Sequence, residues 1–130
     1  MIQTAEAFGL GPIAQVSMNA RDLSRAVAFY RDVLGMRLLL EAPKLALLDA
    51  GGIRLMLARP ESPEFDHPGS VLYFRVPRIQ EAHDTLAARG VSFKSRPHVV
   101  ARAFEAEIWM AFFADSEGNT LAILSEVKSG

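Results

Sequence analysis

The sequence predicts an α+β fold: two tandem βαβββ modules forming a curved, incompletely closed eight-stranded sheet with helices on the outer face. Three observations lead there. Short apolar segments and amphipathic helical stripes follow one another in the order strand, helix, strand, strand, strand, and that order occurs twice. Each helical stripe stops at a glycine, Gly35 in the first half and Gly90 in the second, where a left-handed residue can end a helix without a Cβ penalty. The chain also matches itself. A shift of 56 residues lays Gln15-Val-Ser-Met-Asn-Ala20 on Val71-Leu-Tyr-Phe-Arg-Val76 and Ala26 on Ala82. A shift of 66 lays Asp49-Ala-Gly-Gly-Ile-Arg-Leu-Met56 on Asp115-Ser-Glu-Gly-Asn-Thr-Leu-Ala122, as expected of a duplicated supersecondary unit.

The elements follow in order. Ile13 to Ala20 alternates as a half-buried strand does, with Val16 and Met18 on one side and Gln15, Ser17 and Asn19 on the other. Asp22 is placed to cap a helix whose stripe runs through Leu23, Ala26, Val27, Tyr30 and Leu34. Met36 to Leu40, Leu45 to Leu48 and Ile53 to Ala58 read as a three-stranded meander separated by turns at Ala42 to Lys44 and Asp49 to Gly52. Arg59 to Gly69 holds three prolines and one glycine and cannot continue a helix or a sheet. In the second half, Val71 to Val76 is a strand and Ile79 to Arg89 a helix with a stripe through Ile79, Ala82 and Leu86. Val91 to Lys94, Ile108 to Ala114 and Thr120 to Leu124 complete the strands. The expected boundaries are a lead-in over 1–12, a first module over 13–59, a linker over 60–69 and a second module over 70–126, all within one structural domain.

A chain of 130 residues that is 50% hydrophobic can bury one continuous core. Its 14 Lys and Arg balance 15 Asp and Glu, leaving no positive field for nucleic acid or anionic lipid. No apolar run approaches the roughly 20 residues of a membrane-spanning helix, and Met1 to Pro12 lacks the basic start and apolar stretch of a secretion signal. A cytoplasmic location is expected, with no membrane and no nucleic-acid partner. Zero cysteines exclude disulfides, thiolate metal sites and cysteine nucleophiles. The glycines follow no phosphate-loop spacing, and no serine nucleophile elbow occurs.

The segment Gln15-Val-Ser-Met-Asn-Ala-Arg-Asp-Leu-Ser-Arg-Ala-Val-Ala-Phe-Tyr30, followed by Val33-Leu-Gly35, resembles the opening signature of the vicinal oxygen chelate superfamily, which includes glyoxalase I, bleomycin-resistance proteins and extradiol dioxygenases. Ala111-Phe-Phe-Ala-Asp-Ser-Glu-Gly-Asn119 is similar to the family's closing turn. These motifs serve caps, turns and core packing, so they specify fold and leave chemistry open. In metal-dependent members the ligands sit on the first and last strand of each module. The resemblance carries those places onto Gln15, Met56, Val71 and Ala122. Only Gln15 offers an oxygen donor, whereas a divalent ion needs several N or O ligands with open positions for substrate. The resemblance therefore implies no metal and no cofactor at the inherited place.

Strand parity divides the remaining candidates. Val16, Met18, Ala20, Ile53, Leu55, Leu57, Leu72, Phe74, Val76, Leu121 and Ile123 share one parity and are apolar, as a helix-covered face must be. The other parity carries Gln15, Ser17, Asn19, Arg54, Met56, Val71, Tyr73, Arg75, Thr120, Ala122 and Leu124. That mixed set suits a ligand cavity, and equally a subunit contact. Arg54 and Arg75 could clamp an anion or pair with a nearby acid such as Glu41 or Glu107. Trp109 could form an aromatic wall or pack in the core, and Tyr73 is a hydrogen-bonding wall residue. His67 lies in the linker and His83 beside a helical stripe, while His98 falls on a loop at a cleft rim.

The expected ligand-binding set is Gln15, Ser17, Asn19, Arg54, Met56, Val71, Tyr73, Arg75, His98, Trp109 and Ala122, with no catalytic residue assigned. The reading is a metal-free protein binding a small aromatic or amphipathic molecule in a cleft between modules or across a homodimer. One alternative is a metal-dependent lyase, isomerase or dioxygenase using Gln15 with His98 and a glutamate from Glu105, Glu107 or Glu126. Another is a structural or regulatory dimer without a ligand.

Overall fold

A computed structural model describes residues 8–10, 12–63 and 66–128. Most of the expected lead-in, and residues 64–65 of the linker, lie outside them. In the first module β1 (Gln15–Asn19) leads to α1 (Leu23–Ala28), which runs on into a π-helical turn at Phe29–Val33. The Asp22 carboxylate caps α1 by accepting the Arg25 amide at 3.0 Å. Strands β2 (Leu38–Glu41), β3 (Leu45–Asp49) and β4 (Arg54–Ala58) follow. The second module contains β5 (Leu72–Arg75), α2 (Ile79–Ala88), β6 (His98–Ala103), β7 (Ala106–Ala114) and β8 (Thr120–Lys128).

The eight strands form two mixed four-stranded sheets of identical topology, β1-β4-β3-β2 and β5-β8-β7-β6. In each, the first strand of the module lies parallel to the last and the meander is antiparallel. Ser17 pairs with Met56, and Tyr73 with Ala122; the two shifts that superimpose the halves of the sequence relate these same positions. The first strand of each meander is irregular at the same place, with a register shift between Leu38 and Leu40 and another between Val99 and Ala101. The eight strands thus belong to an α+β fold of two repeated βαβββ units that does not close into a barrel. Among the described residues, no ladder joins one sheet to the other.

One expected element sits elsewhere. Val91 to Lys94 carries the pattern expected of a strand, but only a single bridge from Phe93 to Phe113 forms there, and the edge position beside β7 belongs to β6. His98 therefore opens a strand rather than standing on a loop. The bulge explains the misreading: it sets Val99 and Val100 side by side and breaks the period of two that marks a strand.

Core and parity agree. Met18, Ala46, Leu48, Leu55 and Leu57 are buried beneath Ala26, Val27 and Tyr30 of the first helix, and Ala111, Phe113, Leu121 and Ile123 are buried on the second sheet near Ile79. All fall in one hydrophobic cluster spanning both modules, with each fully buried leucine contributing about 1.5–3 kcal/mol.

The modules also meet through polar contacts. Tyr30 donates its hydroxyl to Asp115 at 2.6 Å, Arg25 pairs with Glu117 at 2.7 Å, and Arg89 donates to the Val33 carbonyl at 2.9 Å. Among the described residues, no helix is long and apolar enough to cross a membrane.

Candidate ligand-binding face

The helices cover one face of each sheet, so the other face is available for binding. Register shows which side chains share it, because directly paired residues project to the same side. On the first sheet one row holds Gln15, Arg54 and Asp49, the next Ser17, Met56, Leu47 and Leu40, and a third Asn19, Ala58 and Leu45. Gln15 is committed within this face. Its amide oxygen accepts Arg54 Nε at 3.0 Å and its Nε2 lies 3.7 Å from Met56 Sδ. Asn19 donates Nδ2 to the His67 carbonyl at 3.1 Å. Asp49 accepts the amides of Gly51 and Gly52 and a hydrogen bond from Arg37, which hold its carboxyl below the usual range.

The open face of the second sheet is more apolar. Tyr73, Ala122 and Phe112 form one row; Arg75, Leu124, Met110 and His98 form the next, followed by Glu126, Ile108 and Ala101. The Tyr73 ring meets Phe112 edge-on, with centroids 5.9 Å apart and planes at 79°. Tyr73 is half exposed, whereas Ala122 is fully buried at the bottom of its row. Arg75 and Glu126 stand 3.6 Å apart at the side, the arginine largely and the glutamate partly in solvent, and His98 donates Nδ1 to the Arg96 carbonyl at 2.9 Å. This is an aromatic and aliphatic floor edged by a loosely paired cation and anion.

The expected set therefore divides between two surfaces. Gln15, Ser17, Asn19, Arg54 and Met56 share the first sheet, while Tyr73, Arg75, His98 and Ala122 share the second. Val71 directly precedes β5 and is exposed. Trp109 is placed on the opposite face, in the row of Ser125 and Val99. It packs against the core and donates Nε1 to Glu107 at 3.3 Å. Arg75 pairs with a nearby acid, Glu126 rather than Glu41 or Glu107, whereas Arg54 is held by Gln15 and Glu107 is held by Arg102 at 3.1 Å.

Phe112, Met110 and Glu126 belong to the second open face but stand outside the expected set. The turn closing β7 and β8 carried the signal: counting outward from Asp115 to Asn119 pairs Ala114 with Thr120 and then Phe112 with Ala122. The unbroken apolar run Trp109 to Ala114 hides its two faces until that register is applied.

The four inherited metal places fit an ion poorly. Val71 and Ala122 present alkyl groups, Met56 a thioether, and both ends of the Gln15 amide are engaged. A hard divalent ion needs several oxygen or nitrogen donors. Of the alternative donors, Glu107 faces the helix side and Glu105 lies in a hairpin turn, while His98 and Glu126 stand on the second sheet and Gln15 on the first. No group of three His, Asp or Glu side chains able to hold a metal occurs among the described residues.

Comparison with known proteins adds family and fold. The family model described as the Glyoxalase/Bleomycin resistance protein/Dioxygenase superfamily matches residues 12–123. Among solved structures, lactoylglutathione lyase from Agrobacterium tumefaciens superposes with a TM-score of 0.71 at 21% identity, over 89% of this chain and 94% of that one. A superfamily member from Sphaerobacter thermophilus gives 0.76 at 20% identity, covering 90% and 98%. Another, from Alicyclobacillus acidocaldarius, gives 0.67 at 22%, covering 88% and 91%. No curated protein matches.

Proposed function

Because the chain belongs to the glyoxalase, bleomycin resistance protein and dioxygenase superfamily, we propose that it binds a small aromatic or amphipathic molecule on its open sheet faces, without a metal at the inherited positions. The observation that carries this reading is the floor of Tyr73, Phe112, Met110, Leu124 and Ala122, bounded by Arg75 and Glu126. An apolar surface with a few orienting polar groups is what a flat ligand with one polar end requires. Ring stacking on Tyr73 and Phe112 would supply affinity, and Arg75 would orient an acidic substituent. The face is open to solvent at Tyr73, so the cleft would be completed across the modules or by a second copy, and a homodimer is the assembly this reading expects.

The test is a thermal-shift screen of purified protein against an aromatic glycopeptide, a catechol and an aromatic thiol conjugate, with elemental analysis after mild chelation and metal re-addition. At least one probe is expected to raise the melting temperature in a saturable way. Tyr73→Ala should weaken that binding about tenfold, the order expected for loss of an aromatic contact. Uniformly flat shifts would favour a dimer with no ligand. Stoichiometric zinc, iron, manganese or nickel retained by the protein would instead favour a metal-dependent lyase, isomerase or dioxygenase.

A further inference from the structure

A second concavity lies at one end of the open faces, at the place where the modules and their linker meet. It encloses about 540 Å³ and is lined by Asn19 at the end of β1, Arg21 after it, Asp66 to Gly69 of the linker, Val71 before β5, and Glu117 to Thr120 at the last turn and the start of β8. That volume lies within the range of small-molecule sites, and junctions of this kind are a common place for them. Gly69 forms part of the wall by pressing against β1. A Cβ there would come within 3.3 Å of Met18 Sδ, so the absence of a side chain lets the linker lie this close.

Most polar groups in the cleft are already engaged. Glu117 is held by Arg25, by the Asp22 amide and by Ser116. Asn119 donates to Asp115 and to the Asn19 carbonyl. The His67 imidazole donates Nδ1 to the Pro68 carbonyl at 3.0 Å, which leaves Nε2 as an acceptor in its neutral form.

Two charges remain. Among the described residues, the Arg21 guanidinium and the Asp66 carboxylate have no hydrogen-bond or ion-pair partner, and they line the same cleft without pairing with each other. Opposite charges that border one space yet stay apart leave room for a ligand carrying the complementary pair.

We propose that this junction cleft is a separate recognition site for a small zwitterion of the α-amino acid type. The ligand's carboxylate is held by Arg21 in a two-point contact and its ammonium group by Asp66, while its side chain lies toward Val71 and Pro68. The Thr120 hydroxyl is available to either end.

Titration of the full-length protein with L-leucine, followed through backbone amide resonances, tests this assignment, with N-acetyl-leucine and leucine methyl ester as the forms lacking one charge each. Saturable shifts are expected at Asn19, Arg21, Gly118 and Thr120. Both blocked forms should bind at least about tenfold more weakly, as should L-leucine to Arg21→Ala and Asp66→Asn. Arg21 and Asp66 are exposed, so both variants are expected to keep the native circular dichroism, and Arg21→Lys should recover part of the affinity. The proposal is overturned if L-leucine gives no saturable shift at those amides, if either blocked form binds as tightly as the zwitterion, or if the shifts fall on Tyr73 and Phe112 instead.

Discussion

Glu117 is the residue through which solution pH acts on the join between the modules. Its side chain is almost fully buried and meets Arg25 at 2.7 Å. The Arg25 hydrogen bond, ahead of the Asp22 amide and the Ser116 hydroxyl, lowers its carboxyl to about 2, against the opposing effect of burial. A depressed carboxyl contributes stability that is present above its ordinary value near 4.5 and is lost as the pH falls toward 2. Glu117→Gln should therefore flatten the acid side of the stability profile; urea titrations between pH 5 and 2.5 would show a smaller loss for the variant than for the parent. The neighbouring Asp115 takes the Tyr30 hydroxyl, the amides of Glu117 and Asn119 and the Asn119 side chain. This capping is why an aspartate stands at the turn in both halves of the sequence, where Asp49 holds Gly51 and Gly52 in the same way. Those aspartates were legible from the repeat, but their partners were not. The shift of 56 maps Tyr30 to Leu86, so the tie from Tyr30 to Asp115 is specific to one of the two helices and leaves no periodic trace.

At the scale of elements, the β6–β7 hairpin is where local preference and structure conflict. Phe104 and Glu105 occupy its two-residue turn with φ of 57° and 59°, a left-handed pair that matches strand twist but strongly favours Asn and Gly. Phe104 is 82% exposed, so its ring gains little from packing to offset a backbone cost of about 1–2 kcal/mol. Phe104→Asn should raise stability by about 0.5–1 kcal/mol, read as a higher urea midpoint with an unchanged slope. The same hairpin shows why element positions were only partly readable. The other seven strands and both helices carry the expected patterns within a few residues, most of them because one face lies against the core, although β2 is itself a largely exposed edge strand. β6 is an edge strand with a bulge and mostly exposed side chains, so burial imposed no alternation on its sequence. Val91 and Phe93 look like a strand because both pack inward, although only one bridge forms there.

Across the whole molecule, the question is whether two similar units fold as one. Among the described residues their sheets share no ladder, yet the side chains behind them form a single cluster from Leu48 and Leu57 to Phe113 and Leu121, joined by Tyr30 to Asp115 and Arg25 to Glu117. Burial common to both units favours one cooperative transition. Trp109, the only tryptophan, lies in the second sheet against that cluster and reports on the second module by fluorescence. Leu57 is fully buried on β4 of the first, and Leu57→Ala should cost about 2–5 kcal/mol through lost transfer energy and the cavity left behind. If the modules fold together, the Trp109 fluorescence transition in urea will move down by the same amount as the far-ultraviolet circular dichroism transition. A fluorescence midpoint that stays in place while the circular dichroism splits into two steps would mean that the modules fold independently. The cleft between them would then be an adjustable junction rather than a preformed site, and ligand affinity there would depend on how firmly the modules dock.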